Sequence, residues 1–249
     1  YELDLALWTA AQNSGADCRQ TTIVQSVTGE SVRIDNINVA MRFVINASGR
    51  WSNLRRSALV DSGPRWLGIK AHFAGENAPP STDIYFFEGG YCGIQPVASG
   101  RINASAMVRA DVAKSLGEVF AAHPQLWLRS RGWEQVTETV TTSPLIHATP
   151  APVTDGVMNA GDAAAFIDPF TGDGISLALR TGVLAAQCAL DGGLGRYAHE
   201  YHARYTRAFQ TAAFTRKLSR APESIRRIAA FAFRSELVKN WALSRTRGL

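Results

Sequence analysis

"GDAAAFIDPFTGDGIS", residues 161–176, holds three glycines, three aspartates and one proline, and it runs straight into an apolar stretch that ends at Asp191-Gly192-Gly193. An acid-rich, glycine-rich loop at the start of a helix needs a physical reason. The first turn of a helix has free backbone N–H groups and carries roughly half a unit of positive charge. Such an end suits an anionic oxygen or a polarised carbonyl. Gly172 and Gly174 let a planar ligand approach the backbone closely. Pro169 stiffens the loop between them and the preceding residues. A Gly-Asp-Gly turn taken alone would be only a helix cap; the sixteen-residue stretch after a short apolar strand says more.

That strand is the run from Val157 to Ala160, and Asp162 follows it. A carboxylate at a strand end accepts hydrogen bonds from sugar hydroxyls, as acids do in dinucleotide sites. The loop is therefore read as holding a dinucleotide cofactor. Two other motifs fail here. Leu177 stands where GxGxxG needs its third glycine. Gly174-Ile-Ser176-Leu-Ala178 comes near GxSxG but ends in Ala, with no strand-to-Ser elbow.

Further out, the pattern divides the chain. A helical pattern at the start has Leu3, Leu7 and Ala10 on one face and stops at Asn13-Ser14-Gly15. Because Tyr1 already lies inside that pattern, upstream sequence is expected. Strand pieces follow at Thr21–Val27, Ser31–Asp35, Asn38–Arg42 and Phe43–Ala47. "FVINASGRWSNLR" (43–55) reads as a buried parallel strand whose C-terminal end meets a ligand. Residues 66–74, 82–88, 91–97 and 101–109 alternate as an antiparallel sheet, with Glu88-Gly89-Gly90-Tyr91 as a hairpin. A helix is expected over Val112–Ala122, ended by Pro124, then strands at Gln135–Thr142 and Leu145–Ala148 and a linker at 150–156. The remainder is helical. The fold class is mixed α/β: a cofactor domain in two parts (1–56 and 151–195), an inserted antiparallel substrate domain (57–150) and a basic helical tail (196–249).

Composition agrees with a packed enzyme-sized domain. Of 249 residues, 46% are hydrophobic and 19% charged. No apolar run approaches the roughly 20 residues of a membrane span, and a cytoplasmic setting is expected. Three distant cysteines argue against a disulfide framework or a zinc site. No metal is expected: His199, Glu200 and His202 sit one helical turn apart, with no third ligand evident. The net charge of +5 hides an asymmetry, since residues 196–249 alone carry +9 and the rest about −4. Nucleic acid is not expected as a partner. The tail mixes Arg with Phe, Ile, Leu and Trp, a pattern that suits peripheral contact with an anionic membrane. Tyr197, Tyr201, Tyr205 and Phe209 form a stripe that should pack on the body.

"GDAAAFIDPFTGDGISLALRTG" resembles the second flavin-binding motif of the FAD-dependent monooxygenases of the aromatic-hydroxylase type, shared with geranylgeranyl reductases and flavin-dependent halogenases. The pattern Gly-Asp-Ala, spacer, Pro, then Gly-x-Gly opening a helix is matched in full, from Gly161 through Pro169 to Gly174. The resemblance implies FAD as cofactor. Asp162 would bond the ribityl or pyrophosphate side. The amides around Gly172, Gly174 and Ile175 would face the flavin N1–C2=O edge, where negative charge develops on reduction. Val24 would lie near the adenine, and Ala47 and Gly49 near the phosphates. The family's N-terminal βαβ unit with GxGxxG, and an Arg that would precede Tyr1, are absent from this chain.

In this superfamily the inserted sheet covers the flavin. "GGYCGIQPVASGRINAS" stands where halogenases read WxWxIP and geranylgeranyl reductases YxWxFP; Tyr91 and Pro96 fit the second pattern, Gly93 and Gln95 neither. Tyr85, Tyr91 and His72 are the candidate substrate-pocket residues, for an apolar small molecule. The resemblance implies an oxidoreductase, with hydroxylation by NAD(P)H and O2 as the leading reaction. Saturation of isoprenoid double bonds is the alternative, and a binding protein that lost its cofactor is the alternative of another class.

Overall fold

A computed structural model describes residues 2–54, 64–75, 81–97, 100–142, 149–169 and 172–219, with residue 235. Helix α1 (Glu2–Asn13) comes first, and Gly15 closes it at φ +88. A meander of β1 (Val24–Val27), β2 (Ser31–Ile34) and β3 (Ile37–Ala40) follows. Asp35 and Asn36 turn it with φ of 48 and 64, the left-handed pair a two-residue hairpin needs. The strand expected over Phe43–Ala47 is shorter, at β4 (Ile45–Asn46). Only those two residues find partners on the neighbouring strand.

The inserted sheet is antiparallel. Its strands are β5 (Trp66–Ala74), β6 (Asp83–Phe87), β7 (Gly90–Val97) and β8 (Arg101–Arg109), joined later by β9 (Glu134–Gln135) and β10 (Val140–Thr142). The order is β10–β5–β8–β7–β6, with β9 also on β5. Gly89, at φ +82, makes the hairpin turn between β6 and β7. Side chains alternate faces along each strand. Leu67, Ile69, Ala71 and Phe73 of β5 join Ile102, Ala104, Ala106 and Val108 of β8 in the first core. Two short helices, α2 (Leu116–Ala121) and α3 (Pro124–Arg129), supply Leu116, Val119, Phe120 and Leu126 to that core.

The helix expected from Val112 starts at Leu116, because Ser115 caps it: its hydroxyl accepts from the Glu118 N–H at 3.3 Å. Pro124 does not merely end α2. It occupies the first turn of α3, where its missing N–H costs nothing. The strand expected over Gln135–Thr142 divides into β9 and β10, and Leu145–Ala148 lies outside the described residues.

The stretch read as a linker contains a hairpin. β11 (Val153–Thr154) and β12 (Val157–Asn159) are turned by Asp155 and Gly156, at φ 51 and 79. β12 then runs parallel to β4 in a second sheet of order β11–β12–β4. Helices α4 (Gly174–Asp191) and α5 (Gly193–Ser219) cover it. The tyrosine stripe of α5 closes the second core: Tyr197, Tyr201 and Tyr205 are buried with Met158, Ile167, Leu177 and Leu184. Residues 196–219 thus pack on the body, while the more basic stretch from 220 lies outside the described residues apart from residue 235. Among the described residues no helix is long and apolar enough to cross a membrane.

Candidate functional site

Two near-identical strands build the floor. Val44-Ile45-Asn46-Ala47 and Val157-Met158-Asn159-Ala160 lie side by side in parallel, Asn46 opposite Asn159. Each asparagine is buried. The Asn46 side-chain amide donates to Asn159 Oδ1 at 3.1 Å. Asn46 Oδ1 accepts the backbone N–H of Ser48, also at 3.1 Å, and so fixes the turn into Gly49. Asn159 donates to the Ala151 carbonyl at 3.0 Å, and its own carbonyl accepts the Tyr197 hydroxyl at 2.7 Å. A repeated V-x-N-A is the signal in the sequence that marks this pair, which the sequence reading missed.

Past Ala160 the chain turns at Gly161, φ +57, where a Cβ would stand 3.0 Å from Ala178 Cβ on α4. The Gly161 N–H donates to Thr181 Oγ1 at 2.8 Å, and Thr181 donates in turn to the Leu177 carbonyl at 2.7 Å. A buried hydroxyl thus staples the loop to α4. One turn of 3-10 helix (Gly161–Ala163) carries Asp162. Further on, the Gly172 N–H returns to the Pro169 carbonyl at 3.1 Å with Gly172 at φ +73. α4 begins after Asp173, and no side chain caps it. Its first N–H groups are left for a ligand.

Between these segments lies a cavity of about 540 Å³. Ala47 and Gly49 line it from the β4 side, Gly161 and Asp162 from the β12 side, and Pro169, Gly172, Gly174 and Ile175 from the loop and helix start. The structure therefore brings together all the cofactor residues read from the sequence except Val24, which sits on β1 outside this lining. A Cβ at Gly49, Gly172, Gly174 or Gly182 would meet no atom of the described residues within 4 Å. These glycines are open toward space that a bound group would fill. Phe166 and Ile167 complete an apolar wall. Arg50, not singled out in the sequence, stacks over the Phe166 ring at 4.0 Å.

Phe166, which lines the cavity, also packs against the sheet. Trp66, Met107, Tyr91 and Phe166 form a third cluster, with Met107 opposite both Gly68 and Tyr91 in register. The Tyr91 hydroxyl donates to Asp168 Oδ1 at 3.4 Å. Burial, then the Asp168 charge, raises the Tyr91 hydroxyl above its ordinary range. His72 lies on the same face, four positions along β5 from Gly68, or roughly 13 Å away. It contacts Thr137 Oγ1 at 3.4 Å. Burial, aided by Lys70 and Arg101, lowers its pKa. Tyr85 turns to the other face. Its hydroxyl accepts from Arg129 Nη1 at 2.6 Å, and its ring meets His123 edge-on at 5.2 Å. Tyr85 is therefore placed against the helices, away from Tyr91 and the cavity, because β6 presents Asp83, Tyr85 and Phe87 to the covered face and Ile84 and Phe86 to the open one. Among the described residues no group of three metal-ligating side chains occurs.

The fold recurs in solved structures. A flavin-dependent brominase superposes with a TM-score of 0.79 over 99% of this chain and 69% of its own, at 17% identity. The myxobacterial chondrochloren halogenase, a FAD-dependent halogenase, gives 0.72 over 100% and 73%, at 18% identity. A flavoprotein/dehydrogenase from Cytophaga hutchinsonii gives 0.73 over 88% and 61%. The chain shares the fold of these flavin-dependent enzymes.

Two curated proteins are similar to this chain in sequence. One is digeranylgeranylglycerophospholipid reductase 2 of Methanothermobacter thermautotrophicus, 27% identical over 228 residues, or 82% of this chain. Another is the digeranylgeranylglycerophospholipid reductase of Thermoplasma volcanium, 29% identical over 65% of this chain. The chain spans 58% and 44% of their lengths. No family model matches it.

Proposed function

We propose that the protein is a FAD-dependent oxidoreductase acting on an apolar molecule held between the open face of the antiparallel sheet and the 161–176 loop. The carrying observation is the glycine-lined cavity that joins Asp162 to an uncapped helix start. Its residues fit the flavin dinucleotide: the four glycines leave room for a planar group, and Asp162 offers acceptors for hydroxyls. Gly174 and Ile175 line the cavity at the helix start, and their amides are the proposed donors for a carbonyl or a developing anion. Phe166, Ile167 and Pro169 keep water from that side. Trp66 and Met107 pack behind Phe166 as an apolar backing for the cavity wall. Bound FAD would supply the transfer of an electron pair to or from that substrate. NAD(P)H is the proposed electron donor.

Saturation of isoprenoid double bonds is the reaction favoured by the two reductases among the curated relatives. Hydroxylation with NAD(P)H and O2, the reading led by the sequence, is the second. Gly93 and Gln95 favour it, because the small glycine on the open face departs from the aromatic residue that the resemblance implies for a reductase. The first test is the visible spectrum of the purified full-length protein. A yellow protein bleached by Asp162→Ala supports the flavoprotein reading. A colourless protein that takes up no added FAD leaves the binding-protein reading. The second test is turnover of geranylgeraniol with reduced flavin under anaerobic conditions. Anaerobic loss of double bonds supports the reductase, and substrate-dependent O2 uptake the hydroxylase. Peripheral membrane contact through residues 222–249 is proposed as well. Liposome co-sedimentation with and without that stretch tests it, and equal partitioning would sink it.

A further inference from the structure

Arg50 follows Gly49, which lines the cavity, and its guanidinium lies over Phe166, which also lines it. Trp51 holds the other contact, at 4.9 Å. Two aromatic rings thus fix the guanidinium in place. Its hydrogen bonding is incomplete. Nη2 reaches Thr142 Oγ1 at 3.5 Å, while Nη1 is buried and meets no acceptor among the described residues. A buried, unmet N–H costs free energy even where, as at Arg50, the side chain as a whole is half-buried. Desolvation lowers the Arg50 pKa and the Asp162 charge works against it, yet a guanidinium stays protonated at neutral pH. Asp162 provides field without a hydrogen bond to Nη1. Gly49, at φ +79 with open space where its Cβ would be, lets a ligand come close beside Arg50.

We propose that Arg50 is the oxyanion receptor of this cavity, and that the oxyanion is a phosphate of the bound dinucleotide. The inference rests on the FAD reading above and names a residue for it. A planar fork of N–H donors matches a phosphate better than it matches a hydroxyl or an amide. The stacked geometry holds that fork ready before the ligand arrives.

The test compares a flavin that carries the pyrophosphate and adenosine, FAD, with one that carries neither, riboflavin, and uses inorganic pyrophosphate to isolate the phosphate part. Dissociation constants for FAD and for riboflavin are measured by flavin fluorescence quenching on wild type, Arg50→Met and Arg50→Lys. Arg50→Met should weaken FAD about tenfold to a hundredfold, the value of a charge-assisted bond, and leave riboflavin unchanged. Arg50→Lys should fall between. Inorganic pyrophosphate should compete with FAD on wild type and much less on Arg50→Met. The thermal midpoint of apo Arg50→Met should not fall below that of wild type, because a buried, unmet N–H is removed. Equal weakening of FAD and riboflavin would make Arg50 a structural residue and overturn the proposal, as would unchanged FAD affinity. If weakening followed an oxyanion-bearing substrate instead, with FAD untouched, the cofactor phosphate would be the wrong source. Failure of wild type to bind any flavin would remove the functional reading itself.

Discussion

The Tyr91 hydroxyl on β7 donates to the carboxylate of Asp168, 3.4 Å away, and so ties the antiparallel sheet to the residue just before Pro169. Asp168 is 2% exposed, and Arg216 Nη1 of α5 lies 3.8 Å from its other oxygen. One buried acid therefore joins the sheet, the cavity loop and the last described helix. Tyr91→Phe keeps the ring against Phe86 and removes the hydroxyl, with its bond to Asp168 and its contact with Met107 Sδ at 3.7 Å. It should cost about 1 kcal/mol at pH 8. The pH dependence has a definite sign. Burial raises the Tyr91 pKa in the folded state, so its contribution is complete below the ordinary tyrosine value of about 10 and is lost as pH climbs above it. Urea melts at pH 8 and pH 11 should show wild type losing more stability than Tyr91→Phe across that interval. Equal losses would mean that the hydroxyl titrates normally.

Thr181 works from inside α4. It accepts from Gly161 and donates to Leu177, and it is fully buried. Thr181→Val keeps the shape and strands the Gly161 N–H. The expected cost is about 1–3 kcal/mol. Thr181→Ser keeps the hydroxyl and should lose less. Chemical denaturation of the three proteins checks the order, and a Val variant as stable as Ser would refute the staple.

The three thiols are not alike. Cys92 and Cys188 are buried, and Cys18 is half-exposed. Burial pushes the Cys92 thiol up to about 12, so it carries almost no thiolate at neutral pH. One thiol should react with a chromogenic disulfide in the native protein and three in urea. Fast labelling at Cys92, located by peptide mapping, would contradict this packing.

The legible parts of the fold were those with a short period. β5 and β8 run from Trp66 to Ala74 and from Arg101 to Arg109, as their alternation indicates, because one face of each is buried. α3 was missed because Pro124 was read as a stop. His123 Nδ1, accepting the Leu126 N–H at 3.4 Å, is the cap that makes Pro124 a start. The site divides the same way. Gly161, Gly172 and the uncapped α4 are local backbone features that a sequence shows. Arg50 over Phe166, and Thr181 beneath Gly161, depend on segments more than a hundred and about twenty residues apart, which no local pattern reveals. Tyr85 and Tyr91 look alike in sequence. Their faces are set by the register of β6 against β7, with Tyr85 opposite Cys92.

Two glycines of the loop separate stability from ligand binding. Both have positive φ, 57 at Gly161 and 73 at Gly172, so alanine at either is strained by about 1–2 kcal/mol. At Gly161 the new methyl would also press on Ala178, with Cβ at 3.0 Å and Cα at 3.3 Å, in a region where neither backbone can easily give way. At Gly172, which lines the cavity, it would meet no atom of the described residues within 4 Å. Gly161→Ala should therefore lower the melting temperature of the apo protein clearly more than Gly172→Ala. Gly172→Ala should be the more selective for flavin, with FAD affinity falling further than its small stability loss would account for. Thermal melts of the apo proteins, set beside FAD titrations of the same samples, check both halves. If Gly172→Ala bound FAD as tightly as wild type, the space beside that glycine would not be where the ligand lies.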